Sequence, residues 1–266
     1  MHNYFFISGL PRSGSTLLSA ILKQNPTIYA DIASPIHAMM KASLFTLTTS
    51  ENNFNVDEIQ RKNMLHGMIE GYYHNIDRKN IFDSCRAWTA STNLLKELFP
   101  NTKIICCVRD INWILDSFEK IYSKNSLYFN TSFDNESVQS VFTRCDSHMD
   151  VKKHGTVIKP MYHLMEGLAA NPEMIMLVEY TDLCKTPEEL MIKIYKFLEL
   201  PNFKHDFNNV EYKNEIFDSA LNLKDLHTVK TKVEYKERPI ILPKSIWDKY
   251  SNKEFWREKK VELNYG

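Results

Sequence analysis

Glycine is scarce in this chain. It has 7 glycines in 266 residues, where about 7% is usual, yet Gly9 and Gly14 stand close together near the N-terminus. Against so low a background, a local pair answers a demand of the backbone. Neither sign of charge is in excess, since 33 Lys and Arg balance 33 Asp and Glu. That balance argues against a general nucleic-acid binder, which carries a basic surplus. No apolar run nears the ~20 residues of a membrane-spanning helix, and Met1 and His2 lead straight into Tyr4-Phe5-Phe6-Ile7 with no cationic leader. A soluble, cytoplasmic protein is therefore expected. The 5 cysteines are odd in number and form no CxxC pair, as in reduced thiols used as small hydrophobes. Cys106 and Cys107 are adjacent and would face opposite sides of a strand. The 9 histidines form neither HxH nor HExxH, so no metal site is expected.

What is present is globular material: 43% hydrophobic beside 25% charged residues rules out a disordered tail. No repeat or linker divides the chain, and residues 1–266 read as a single domain. Short apolar runs at 4–8, 27–30, 81–83, 103–108 and 174–179 read as strands. Helical patterns lie at 15–24, 57–74, 93–98, 111–122, 138–149, 156–169 and 187–198. The last opens with Thr186, Pro187 and Glu189 in the pattern of a capping box. Alternating strands and helices predict an α/β protein of three layers. Its centre is a P-loop-like parallel sheet of about four to five strands flanked by helices. The polar stretch 125–154 reads as a lid or acceptor-pocket wall.

The segment Ile7-Ser8-Gly9-Leu10-Pro11-Arg12-Ser13-Gly14-Ser15-Thr16-Leu17-Leu18 has the layout of a phosphate-binding loop. Gly9 and Gly14 keep the spacing of G-x-x-x-x-G-K-[ST], but Ser15 replaces the lysine. Amides from Ser13 to Thr16 would point from a helix N-terminus toward an anion. Ser13, Ser15 and Thr16 add hydroxyls, and Arg12 adds a forked cation suited to phosphate or sulfate oxygens. A P-loop ATPase needs its lysine and a magnesium-holding carboxylate at a strand end. The apolar run 103–108 ends instead in Arg109, which points to an anion bound without a metal.

These residues resemble sulfotransferases that use 3′-phosphoadenosine-5′-phosphosulfate (PAPS), especially bacterial and tyrosylprotein members, whose loop also reads Pro-Arg-Ser-Gly-[Ser/Thr]-Thr-Leu. The resemblance runs from about Tyr4 to Glu234. It implies that Pro11, Arg12, Ser13, Gly14, Ser15 and Thr16 grip the 5′-phosphosulfate. Arg109 and Ser117, eight residues later, would hold the 3′-phosphate. The stretch Leu177-Val178-Glu179-Tyr180-Thr181-Asp182-Leu183 is similar to the family element whose tyrosine lies near the adenine, here Tyr180. The stretch 226–234 resembles the basic loop that closes over the 3′-phosphate, with Lys230 and Lys232 as its cations.

The general base is where the resemblance departs. The Lys-Thr-His run of cytosolic members is absent, and Phe82-Asp83-Ser84-Cys85-Arg86-Ala87-Trp88 stands in its place. Arg86 is there a candidate second charge stabiliser. Tyrosylprotein members use a glutamate after the second strand, and the corresponding window here offers Asp31 and His37. The acceptor is a hydroxyl or amine of a small molecule, peptide or glycan, with 125–154 and 33–48 as the segments that would select it. Lys224, Thr228-Val229 and Glu234 approach a dimerisation signature of cytosolic members, with one residue too many before the glutamate, so a homodimer is an expectation. A P-loop phosphotransferase and a non-catalytic nucleotide-binding module remain as alternatives.

Overall fold

The computed structural model describes residues 2–49, 51–124, 140–213, 218–219, 227–229 and 232–257. Strands β1 (Asn3–Gly9), β2 (Ile28–Ala30), β3 (Asn80–Ser84), β4 (Ile104–Val108) and β5 (Ile175–Glu179) are the five apolar runs of the sequence. They form one sheet in the order β2-β3-β1-β4-β5, and every pairing is parallel. The chain moves outward from β1 to β2, returns to β3, then crosses β1 to reach β4. In open sheets of this kind, ligands bind beyond the carboxyl ends of the strands, where the order reverses.

Helices cover both faces: α1 (Ser15–Leu22), α2 (Ile36–Thr48), α3 (Asn52–Asn55), α4 (Glu58–Tyr72), α5 (Thr92–Leu98) and α6 (Ile111–Lys124) precede residues 125–139. After it come α7 (Val141–Met149), α8 (Ile158–Ala170), α9 (Tyr180–Lys185), α10 (Pro187–Phe197) and α11 (Lys244–Tyr250). Alternate strand residues feed two cores. Phe6, Ile81, Ile104 and Cys106 pack on one face around Trp88. Phe5, Phe82, Ile105 and Cys107 pack on the other against α1 and α10. The adjacent cysteines therefore do face opposite sides, and all five thiols are free.

The sequence pattern missed α2, because exposed Met39 and Phe45 blur the apolar stripe that buried Ile36, Met40 and Leu47 would otherwise set. The capping box expected at Thr186 does not form; its hydroxyl turns back to the Asp182 carbonyl at 3.4 Å, closing α9 instead. Reciprocal boxes occur at Asp57 with Gln60 and at Ser140 with Thr143. Within the stretch 125–154, residues 125–139 lie outside the described residues. Most of the remainder is α7, which packs Cys145 and His148 inward and ties Arg144 to Glu119 at 2.6 Å. Among the described residues, no helix is long and apolar enough to cross a membrane.

Candidate active site

The loops after β1, β3 and β4, together with the start of α9, meet in a cleft of about 730 Å³ at the carboxyl edge of the sheet. The two scarce glycines shape its floor. Gly9 has φ +122°, and a Cβ there would come within 2.1 Å of the Cys107 carbonyl oxygen. Its absence lets Leu10 N donate to that carbonyl at 2.9 Å. Gly14 is the N-cap of α1 in the left-handed region, φ +96°, and a Cβ there would lie 2.9 Å from Tyr180 Cδ2. Leu18 N makes the first intrahelical bond, to Gly14 O at 2.9 Å. The amides of Ser15, Thr16 and Leu17 precede it at the positive end of the helix. Between the glycines, Arg12 holds φ 58°, a conformation uncommon for side chains of its size.

Cations line this cleft. Among the described residues, Arg12, Arg86, Arg109 and Lys232 stand on its wall against one carboxylate, Glu234, which is itself engaged by Lys236 at 2.5 Å. Arg12 Nε donates to Ser117 Oγ at 3.2 Å. Arg109 Nη1 donates to the Arg12 carbonyl at 3.2 Å, and its guanidinium lies over Tyr180, 4.0 Å from the ring centroid. Burial, then the charges of Arg109 and Arg86, push the Arg12 guanidinium down to about 10. Burial also lowers Arg86 and Arg109. Guanidiniums that repel one another in a desolvating cleft gain most from a bound anion.

The neighbouring carboxylates are drawn away. Asp110 follows Arg109 and Glu179 precedes Tyr180, and Arg257 bridges the two, with Nη1 2.7 Å from Asp110 and Nε 2.7 Å from Glu179. Trp256 Nε1 adds a bond to Glu179 at 3.0 Å. Zero net charge over the whole chain thus coexists with a cationic cleft.

The sequence pattern of the sulfotransferase family matches residues 5–205, which contain the glycine turn, the three arginines and Tyr180. The chain belongs to the sulfotransferase family. The chain is 26% identical over 245 residues to the protein-tyrosine sulfotransferase of Drosophila melanogaster, covering 89% of this chain and 45% of that protein. It therefore spans less than half the length of that relative. Among solved structures, it resembles a sulfotransferase from Alicyclobacillus acidocaldarius, with TM-score 0.53, 15% identity, and 82% and 88% of the two chains covered. It also resembles the sulfotransferase domain of the curacin biosynthetic pathway, with TM-score 0.50, 18% identity and 77% and 76% covered. These likenesses agree on the fold.

Of the residues singled out from the sequence, Pro11, Arg12, Gly14, Ser15, Thr16, Arg86, Arg109, Tyr180 and Lys232 line the cleft. Ser13 is fully buried, and its hydroxyl serves the turn by donating to Pro11 O at 3.3 Å. Ser117 is 9% exposed and does not line the cleft; its hydroxyl accepts from Arg12 Nε. Lys230 lies outside the described residues. Asp31 and His37 are not on the cleft wall. The Asp31 carboxylate accepts from Tyr212 Oη at 2.5 Å and Ile32 N at 2.8 Å. His37 sits edge-on to Trp88, with ring centroids 4.8 Å apart, and its Nε2 lies 3.1 Å from Ser91 Oγ.

The sequence reading passed over His227, which does line the cleft. Asp218 is 3% exposed and engages both the His227 ring, Nδ1 to Oδ1 2.6 Å, and its backbone amide, N to Oδ2 3.0 Å. The available signal is a histidine inside the basic stretch 226–234, with an aspartate nine residues before it.

Proposed function

We propose that this sulfotransferase moves a sulfuryl group from PAPS to an acceptor hydroxyl or amine, leaving 3′-phosphoadenosine-5′-phosphate (PAP). One observation carries the reading. A glycine-bounded turn lacking the P-loop lysine converges with Arg12, Arg86 and Arg109 on one cleft. The donor set fits the molecule: helix amides and a forked guanidinium suit a phosphosulfate, and Arg109 stacked on Tyr180 suits a phosphate beside an aromatic base.

PAPS supplies a sulfuryl group already activated as a mixed anhydride with phosphate. Arg12 and the amides at the start of α1 stabilise the charge that grows on the transferring oxygens and on the leaving phosphate. Losing one such preorganised donor costs ~10²–10³ in rate. Arg109 and Lys232 hold the nucleotide end, Tyr180 provides its stacking surface, and Arg86 faces the transferred group from the β3 side. Ser117 orients Arg12. The name of the Drosophila relative, protein-tyrosine sulfotransferase, makes a phenolic hydroxyl the first acceptor to test.

Calorimetry with PAP and with Mg-ATP tests the donor. PAP binds without added metal, and Arg109→Ala abolishes that binding. Mg-ATP binding with no PAP binding overturns the reading. A gain of about 80 Da (the mass of SO₃) on a tyrosine peptide or a cell-extract component incubated with PAPS identifies the acceptor.

A further inference from the structure

We infer that His227 is the general base of sulfuryl transfer and that buried Asp218 is its positioning residue. The assignment rests on the reading of this cleft as the sulfuryl-transfer site. His227 is on the cleft wall, close enough to Arg12 and Arg86 for both charges to act on its ring. Those are the groups that would face the transferred oxygens, so a proton acceptor stands beside the reacting centre. Neither Asp31 nor His37 has that placement, because tyrosine hydroxyls and the Trp88–Ser91 turn hold their side chains elsewhere.

The pair has a defined chemistry. A carboxylate oxygen 2.6 Å from Nδ1 accepts the ring proton there, which fixes the tautomer and makes Nε2 the basic nitrogen. The second carboxylate oxygen takes the backbone amide of the same residue at 3.0 Å, so Asp218 fixes both the ring and the chain that carries it. A buried aspartate serves histidine bases in this way by orienting the ring and stabilising the imidazolium. In the transfer, Nε2 takes the proton of the acceptor O–H while the oxygen forms its bond to sulfur. The S–O bond to the 5′-phosphate breaks, and its electron pair leaves on PAP. The proton on His227 is then lost to solvent.

The charges around the ring set its working range. Burial, Arg12 and Arg86 lower the histidine below 6.5, and Asp218 raises it. The base is therefore unprotonated at neutral pH, and activity falls on acidification.

Three measurements test the assignment. In ¹⁵N-histidine-labelled protein with PAP bound, His227 shows a protonated Nδ1 and a lone pair on Nε2; the opposite tautomer overturns the proposal. PAP affinity of His227→Ala stays within about threefold of wild type, while kcat for a tyrosine peptide or 4-methylphenol falls about 10²–10⁴-fold. The deficit shrinks with 4-nitrophenol, which is largely ionised and needs no base. Asp218→Asn lowers kcat and moves the acidic limb of its pH profile further down, because the raising charge is gone. A His227→Ala enzyme that keeps wild-type kcat, or loses equally with both phenols, overturns the proposal. Absence of PAP binding in the wild type would instead strike the donor reading.

Discussion

The guanidinium of Arg109 lies 4.0 Å from the ring centroid of Tyr180, and the same ring packs where a side chain on Gly14 would stand. Three positions remote in sequence thus form one surface, with the turn below, the aromatic ring beside it and the cation above. A cation over a partly desolvated ring is worth ~0.5–2 kcal/mol. Tyr180→Leu is expected to weaken PAP binding about 3–30-fold, and Tyr180→Phe by much less, since the face of the ring is kept. Equal losses in both, read by calorimetry, would transfer the role to the hydroxyl.

Gly14→Ala tests the turn itself. The new Cβ meets Tyr180 Cδ2 at 2.9 Å and Leu183 Cδ2 at 3.2 Å with φ at +96°. Such a conformation costs ~1–3 kcal/mol in a residue other than glycine, and Tyr180 must move off its stacking position. Urea unfolding should show a loss of that size together with weaker PAP binding. Gly9→Ala is expected to be worse, because its clash at 2.1 Å is with the Cys107 backbone of β4, which cannot rotate away.

Ser117→Ala separates holding a ligand from holding Arg12. Ser117 accepts from Arg12 Nε at 3.2 Å, and hydrogen bonds to charged groups are worth ~1.5–3 kcal/mol. If its task is to orient Arg12, kcat should fall about tenfold or more while PAP affinity changes little. A loss confined to PAP affinity would return Ser117 to the direct phosphate contact expected from the sequence.

Much of this site was legible in the chain because it follows from local constraints. A glycine pair bounding a strand-to-helix turn and an arginine at a strand end each have one place to go in a parallel sheet, and Arg12, Arg109 and Tyr180 went there. The five strands were legible because continuous apolar runs buried on both faces leave few alternatives. Contacts between distant segments were not legible. Nothing in the sequence says that Tyr212 will take Asp31, that Ser117 will accept from Arg12, or that Asp218 will seat His227. Helix α2 was hidden for the same reason: it carries apolar residues on several sides, and which of them are buried is decided by what packs on it.

Arg257 offers a test of the electrostatics at a distance from the cleft wall. It binds Asp110 and Glu179, the carboxylates beside Arg109 and Tyr180, and these bonds raise its own guanidinium above the ordinary arginine range. In Arg257→Gln both carboxylates lose their cation. Exposed pairs are worth ~0–1 kcal/mol each, so PAP affinity should fall several-fold, more at low salt than at high. An effect independent of salt would mean that the substitution acts through packing instead.

Asp83 tests what holds the β3 side of the cleft. Fully buried, its carboxylate accepts from Ser34 Oγ at 2.5 Å, Tyr73 Oη at 2.6 Å and Trp88 Nε1 at 2.6 Å. Ser34 is on the cleft wall and Trp88 follows Arg86 in the loop, so one buried carboxyl group, its pKa raised by burial, ties the core to the site. Asp83→Ala strands three donors, and breaking such a network costs ~3–5 kcal/mol. Thermal or urea unfolding should show a loss of that order, and a change under ~1 kcal/mol would mean that water replaces the carboxylate.

Acid should destabilise the fold through two histidines. His37 and His205 are each pushed down to about 4, chiefly by burial, with Lys41 and His163 adding to the effect at His37. An unfolded histidine titrates near 6.5, so between about pH 6.5 and 4 the unfolded chain binds protons that the folded one refuses. Stability should therefore be full above 6.5 and decline as pH falls toward 4, by up to ~3 kcal/mol per histidine. Urea midpoints at pH 7, 5.5 and 4.5 measure this slope. His205→Gln loses its contacts with Tyr195 and Gln24 and starts less stable, but its slope should be flatter, and an unchanged slope would remove His205 from the account. His37→Gln should flatten the stability slope while leaving the acidic limb of kcat in place, because His37 packs on Trp88 and Ser91 rather than on the cleft wall. If that limb moves with His37→Gln and not with Asp218→Asn, the proton acceptor lies on α2 and not at His227.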